Sequence, residues 1–181
     1  MSTAKYASGL ANLSAKKEAN DVIEEALERD LVYDDIIRDA ICWSVGIADE
    51  KEIDEINILQ ATYEAMREAI GKLEPKPTLL LNDAVTLPDV DIKQVPIIKG
   101  DAKSISIGAA SIIAKVTRDR MMEEYENIYP GYGFSSNKGY GSAMHIEAIK
   151  AMGPTPIHRE TFIKNFSQRI KKYSEFLTKL I

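Results

Sequence analysis

Apolar residues recur along this chain in blocks whose spacing alternates between helical and extended. Leu13, Val22, Ile23, Ala26 and Leu27 predict a first, acidic helix. The run AICWSVGIA, residues 40–48, is continuously apolar over most of its length and predicts a buried strand. Ile56, Leu59, Tyr63, Met66 and Ile70 step by three and four, which puts one apolar face on a helix. KLEPKP ends that helix, because two prolines cannot continue it. TLLLND, residues 78–83, is a short apolar run closing on a carboxylate and predicts a central strand. QVPII, residues 94–98, predicts another, with Pro96 near its start. Residues 104–128 predict a long helix, and YPGYGFSSNKGYGS, residues 129–142, a glycine-rich loop. Residues 143–152 predict a helix stopped by Gly153-Pro154. Ile170, Tyr173, Leu177 and Leu180 predict a terminal amphipathic helix. Strands separated by helices imply an α/β layer fold without internal repeats.

The chain has 181 residues, enough for one domain with a real core. Its single cysteine, Cys42, rules out an internal disulfide and sits in an apolar run as a small hydrophobe. The opening MSTAKYASGL has no apolar core of a secretory signal, and no apolar run is long enough to span a bilayer. These features predict a cytoplasmic protein. Charge adds a second division. Residues 1–74 hold 8 Lys and Arg against 17 Asp and Glu, a net of −9, whereas residues 75–181 hold 15 against 11, a net of +4. The overall −5 argues against a nucleic-acid partner, but phosphate attraction is decided by the local face.

The candidate chemistry lies where apolar segments stop. Asp83 closes one run, and IIKGDAKS carries Asp101 just past another. Ligand sites collect at strand ends in α/β sheets, and two converging carboxylates can hold a hard divalent cation. Gly100 would let the backbone bend before Asp101, and the small residues from Ser104 to Ser111 would let the next helix pack close. Taken alone, two such aspartates more often cap helices or sit in solvent.

The blocks EIDEINILQATYEAM, LLLNDAV, IIKGDAKSISIGAASIIAKVTRDRMM, YPGYGFSSNKGYGS and GPTPIHRETF occur in that order. Together they closely resemble bacterial ribonuclease HII, over residues 32–166, about three quarters of the chain. The resemblance implies a ribonuclease-H-like fold with C-terminal helices. It implies Mg²⁺- or Mn²⁺-dependent cleavage of RNA in RNA–DNA hybrids and of duplex DNA at embedded ribonucleotides. Asp83 and Asp101 match family metal ligands and so carry the catalytic and metal roles. Tyr140 matches the tyrosine that recognises the ribonucleotide–deoxyribonucleotide junction, and it is expected to border one groove with Lys138 and the aspartates. Lys99, Lys103, Lys115, Arg118 and Lys138 form a basic set assigned to phosphate contact as a group. Arg118 and Arg120 could instead pair with Asp119 and Glu123.

Departures from the family are as informative. The strand that opens the family, Asp-Glu-x-Gly-Arg-Gly, has no counterpart here, and with it go two of four metal-site acids. The Asp-Glu pairs Asp49-Glu50 and Asp54-Glu55 fall in a different, helical block. Asn137 stands where histidine is usual, Gly108 for alanine and Ser142 for threonine. The expected organisation is an acidic helical segment 1–31, an N-terminally incomplete ribonuclease-H-like domain 32–166 and a C-terminal helix 167–181. Three functions fit: a ribonuclease HII chain weak or inactive alone, a non-catalytic nucleic-acid-binding remnant, or a structural fragment needing a partner strand.

Overall fold

The computed structural model describes residues 29–164. The helices expected over residues 13–27 and 170–180 lie outside the described residues. The elements run α1 (29–39), α2 (Glu50–Lys72), β1 (Leu79–Asp83), β2 (Lys93–Ile97), α3 (Ile105–Ile128), α4 (Phe134–Asn137), α5 (Ala143–Met152) and α6 (160–164). No helix among the described residues is long and apolar enough to cross a membrane.

Local chemistry sets the element ends. Asp49 opens α2 by accepting hydrogen bonds from the backbone N–H groups of Lys51 (3.0 Å) and Glu52 (2.8 Å). The helix is interrupted at Asn57, whose φ is +69°. Asn57 then caps the second segment itself, its Oδ1 accepting from Leu59 and Gln60. Ser142 caps α5 through its Oγ and the His145 N–H, and α5 stops at Gly153, where φ is +84°.

Residues 42–48 correct the expectation of a strand. They are extended but pair with no strand among the described residues. The segment lies along α2 instead. Ser44 Oγ donates to the Ala69 carbonyl (2.6 Å), Lys72 Nζ to the Val45 carbonyl (3.1 Å), and the Ile47 N–H to Glu68 (2.9 Å). A Cβ on Gly46 would collide with the Ala65 carbonyl, so this approach requires glycine. A strand is defined by a neighbour for its backbone, and here α2 takes that place.

β1 and β2 form a parallel pair in register from Leu79 opposite Lys93 to Asp83 opposite Ile97. Among the described residues β1 has this one neighbour, not the central position its composition predicts, and it buries only Leu80 and Asn82 while Leu79 and Leu81 stay exposed. Residues 84–92 make the whole crossover, short for a parallel connection. Gln94 holds it together. Its Oε1 accepts from Asn82 Nδ2 (2.9 Å) and the Leu87 N–H (2.8 Å), and its Nε2 donates to the Leu87 carbonyl (2.9 Å).

α3 runs from the sheet to a second core. Ile107, Ile113 and Val116 are buried along it. Further along, Met122 packs with Tyr132, Phe134 and Ile149. The glycine-rich loop of residues 129–142 thus contains the short helix α4 and contributes two aromatic core residues.

Candidate functional site

The first predicted site residue ends β1. The Asp83 Oδ1 accepts a hydrogen bond from the Gly100 N–H at 2.8 Å, and the Ala84 N–H extends the ladder to the Ile97 carbonyl (3.0 Å). These bonds fasten the KGD turn to the C-terminal end of the parallel pair. Asp101 follows Gly100 directly, and its Oδ1 accepts from the Ala102 N–H (2.9 Å). Both carboxylates are exposed.

Gly100 serves this turn differently from the expectation. The left-handed residue is Lys99, with φ +55°. Gly100 is needed for close approach: a Cβ there would meet Ile107 Cδ1 at 2.6 Å, the Ile97 carbonyl at 2.9 Å and Asp83 Oδ1 at 3.3 Å. Gly108 likewise lets α3 start against the turn, since its Cβ would meet the Asp101 carbonyl at 3.1 Å.

The donor set decides what this end can hold. Two hard carboxylates suit a divalent ion that keeps most of its water. Among the described residues, no group of three or more His, Cys, Asp or Glu side chains converges to hold a metal. A two-ion cage needs more acids than Asp83 and Asp101 supply.

Tyr140 lies on another segment, the loop before α5. Its ring is 68% exposed, yet its backbone is held at three points. The Tyr140 N–H donates to the Asn137 carbonyl (2.8 Å), and its carbonyl accepts from the Ser142 N–H (2.8 Å) and from His145 Nδ1 (2.8 Å). Asn137 anchors the preceding turn, donating to the Tyr132 carbonyl (2.7 Å) and accepting from the Gly139 N–H (2.8 Å). Tyr140 borders a cavity of about 650 Å³ with Arg118, His145 and Phe162, which residues 45–50 also line. The lining includes neither Lys138 nor Asp83 nor Asp101, so the single groove expected for all four is not what encloses this cavity.

The basic set is divided between the two places. Lys99 and Lys103 are exposed in the KGD turn. Lys115 pairs with Asp119 (2.6 Å), and Lys138 with Glu123 (2.8 Å). Those two acids therefore bind lysines and not Arg118 and Arg120. Arg118 donates to the Lys138 carbonyl (3.3 Å), and Arg120 lies 4.4 Å over the Tyr33 ring with Asp30 at 3.7 Å. Pairing of lysine and arginine along α3 is thus a question of reach: each lysine finds an acid that the neighbouring arginine leaves.

The family model described as Ribonuclease HII matches residues 12–165. The chain belongs to the ribonuclease HII family. Ribonuclease HII of Lachnoclostridium phytofermentans is 66% identical over 140 residues, covering 77% of this chain and 55% of that protein. Ribonuclease HII of Caldanaerobacter subterraneus subsp. tengcongensis is 55% identical over 137 residues, covering 76% of this chain and 57% of that protein. The chain spans a little over half the length of the curated relatives it matches. The crystal structure of the ribonuclease H2 from Pyrococcus horikoshii OT3 superposes with a TM-score of 0.63 at 27% identity, over 80% of this chain and 77% of that one. The α/β fold of this ribonuclease HII chain is therefore ribonuclease-H-like.

Sequence reasoning quoted GPTPIHRETF and gave its histidine no role. The structure joins His158 to His145, with 3.0 Å between their Nε2 atoms. Thirteen residues separate them, and no helical or strand period links them. Only the turn after Gly153 brings them together.

Proposed function

We propose that this chain carries the substrate-reading part and half of the metal-ligand set of an endonuclease acting on RNA–DNA hybrids and on ribonucleotides embedded in duplex DNA. The cofactor is Mg²⁺ or Mn²⁺, and the setting is the cytoplasm. Family membership supports the reaction class. The observation that carries the site assignment is the Asp83–Gly100 hydrogen bond, which ties the two aspartate-bearing segments to one sheet end.

Asp83 and Asp101 would hold the ion. When bound, a divalent cation offsets phosphate charge and lowers the pKa of water. The chain's own residues do the rest. The exposed Tyr140 ring offers a face for a sugar or base, and Lys99 and Lys103 offer charge for phosphate beside the aspartates. With two acids absent, the chain alone cleaves weakly or not at all.

A second reading, a binding module without catalysis, is favoured by the unequal completeness of the two places. Tyr140 is fully anchored, whereas no third acid joins the aspartates among the described residues. A third, a fragment completed by a partner strand, is favoured by the single neighbour of β1 among the described residues.

A nicking assay on a labelled duplex with one ribonucleotide separates these readings. Little or no nicking is expected from the 181-residue chain with excess Mg²⁺ or Mn²⁺. Adding an Asp-Glu-bearing strand, in cis or as a fragment, restores it. Robust nicking by the chain alone, abolished by Asp101→Asn, would show that two aspartates suffice. Ribonucleotide-selective binding without restored nicking would favour the binding module.

A further inference from the structure

The two histidines that sequence reasoning passed over form a chain of hydrogen bonds whose proton positions are fixed by its ends. At one end the Thr155 N–H donates to His158 Nδ1 at 2.9 Å. A backbone N–H can only donate, so neutral His158 carries its proton on Nε2. The Thr155 hydroxyl reaches the same Nδ1 at 2.7 Å. At the other end His145 Nδ1 lies 2.8 Å from the Tyr140 carbonyl. A carbonyl can only accept, so His145 carries its proton on Nδ1 and leaves Nε2 as an acceptor. The bond between them then has one direction: His158 Nε2–H donates to His145 Nε2 at 3.0 Å.

This assignment argues against a metal between the rings. A ligating nitrogen must be unprotonated, and His158 Nε2 bears the proton. It also requires both rings to be neutral. Charging either one sets two N–H groups face to face across 3.0 Å. Charging His158 further turns its Nδ1 against the Thr155 N–H.

The surroundings favour the neutral pair. His145 is 2% exposed, with the Phe134 ring edge-on at 5.2 Å. The Tyr132 ring lies 5.4 Å from His158, and its hydroxyl is committed to the Gly153 carbonyl at 2.6 Å. Arg118 from α3 lines the same cavity as both histidines. So do Asp49 and Glu50 from α2, and Arg159, which is itself paired with Asp54 at 3.4 Å. Glu160, beside His158, is paired with Lys164 at 2.9 Å. Among the described residues, the hydrogen bonds of the two rings go to Thr155, to Tyr140 or to the other ring, and none goes to a carboxylate. Burial first, and then the neighbouring His145, hold His158 below the ordinary imidazole range.

We propose that His145 and His158 are positioning residues: a neutral pair with fixed tautomers that holds the Tyr140 backbone and so aims its exposed ring at the substrate. The pair does not touch substrate. It acts by fixing the Tyr140 carbonyl, as Arg118 holds the Lys138 carbonyl two residues earlier. Its bearing on substrate choice rests on the reading of Tyr140 above, and the test separates the two.

Isotope-labelled imidazole NMR on the full chain reads the tautomers without any substitution. His145 protonated on Nδ1 and His158 on Nε2 is the expected result. The Tyr140 and Gly141 amide resonances should move together with the His158 ring as pH falls from about 8 to about 5. Opposite tautomers, or amides that stay still while the rings titrate, would overturn the proposal. His145→Asn keeps a donor at the Nδ1 position and should preserve the Tyr140 amide shift, whereas His145→Ala should lose it. If His145→Ala does not fold, His158→Gln, which keeps a donor at Nε2, against His158→Ala gives the same contrast. In binding, losing the grip should cut the preference for a ribonucleotide-containing duplex over all-DNA about fivefold, with Asn restoring it. A preserved preference in a folded His145→Ala protein, with Tyr140→Ala losing it, would sink the pair's role and spare the Tyr140 reading. If Tyr140→Ala leaves the preference intact, that reading falls while the NMR result alone decides the positioning claim.

Discussion

The aspartate end and the tyrosine end of this molecule are built by different means. At Tyr140 the backbone is gripped at three points, and behind it Tyr132, Phe134, Met122 and Ile149 make a shared core. At Asp83 one hydrogen bond to Gly100 joins two segments, over a sheet of two strands. The backbone grips and the buried aromatic core of the first region come from residues between 118 and 158. The second gathers hard ligands from β1 and the KGD turn and goes no further among the described residues. On the proposed assignment the recognition surface is complete where the catalytic centre is not, because recognition is local to one loop while a metal cage needs donors from several strands.

The largest break in this contrast should come from Phe134→Ala. The ring is 2% exposed and stacks on Tyr132 at 5.6 Å. Its loss should cost about 3–5 kcal/mol in denaturant unfolding and release the Tyr140 loop with it. A loss under about 1 kcal/mol would mean that the aromatic core does not hold that end.

Gly100→Ala strikes the other end. The new methyl group meets Ile107, the Ile97 carbonyl and Asp83 together, at a cost of about 1–3 kcal/mol. Amide shifts should change around residues 83 and 101 and stay fixed near Tyr140. Movement at both ends would show that the two are one cooperative unit.

Asp83→Asn sharpens the assignment further. Asparagine keeps an oxygen for the Gly100 N–H, so stability should change by less than about 1 kcal/mol. Calorimetric Mn²⁺ affinity should nevertheless fall about tenfold, because a charged ligand is gone. Unchanged affinity would remove Asp83 from the ligand set.

The smallest effect is pH dependence. His158 is held below its unfolded value, so the unfolded chain binds more protons in the window between the two. Stability should therefore be full above the unfolded imidazole range, near pH 6.5. It should fall as pH drops through the lower folded value. Urea midpoints across that window test the sign, and a midpoint that rises on acidification would reverse it.

Much of this was legible before any coordinates. The apolar runs at 78–83 and 94–98, the helix over 104–128 and the stop at Gly153 follow from period and punctuation alone, and the elements lie within a residue of those bounds. The carboxylates at the strand end were legible for the same reason. Residues 42–48 were not, because a strand exists only with a partner, and α2 supplied the hydrogen bonds instead. Gly100 was expected for a backbone bend, because composition does not say whether a glycine is wanted for its φ or for its missing Cβ. The histidine pair was invisible because it is made by a turn and obeys no period.

Lys115 and Lys138 already hold carboxylates. Such lysines are already neutralised by a protein carboxylate. A phosphate that engages them leaves that carboxylate's charge behind, so the net neutralisation of the phosphates is small. Lys99 and Lys103 are exposed in the KGD turn, and their charge would displace cations condensed on the phosphates. Ionic strength should accordingly act mainly through the turn at residues 99–103, and affinity carried through α3 and Lys138 should respond to salt less steeply than its count of basic residues implies.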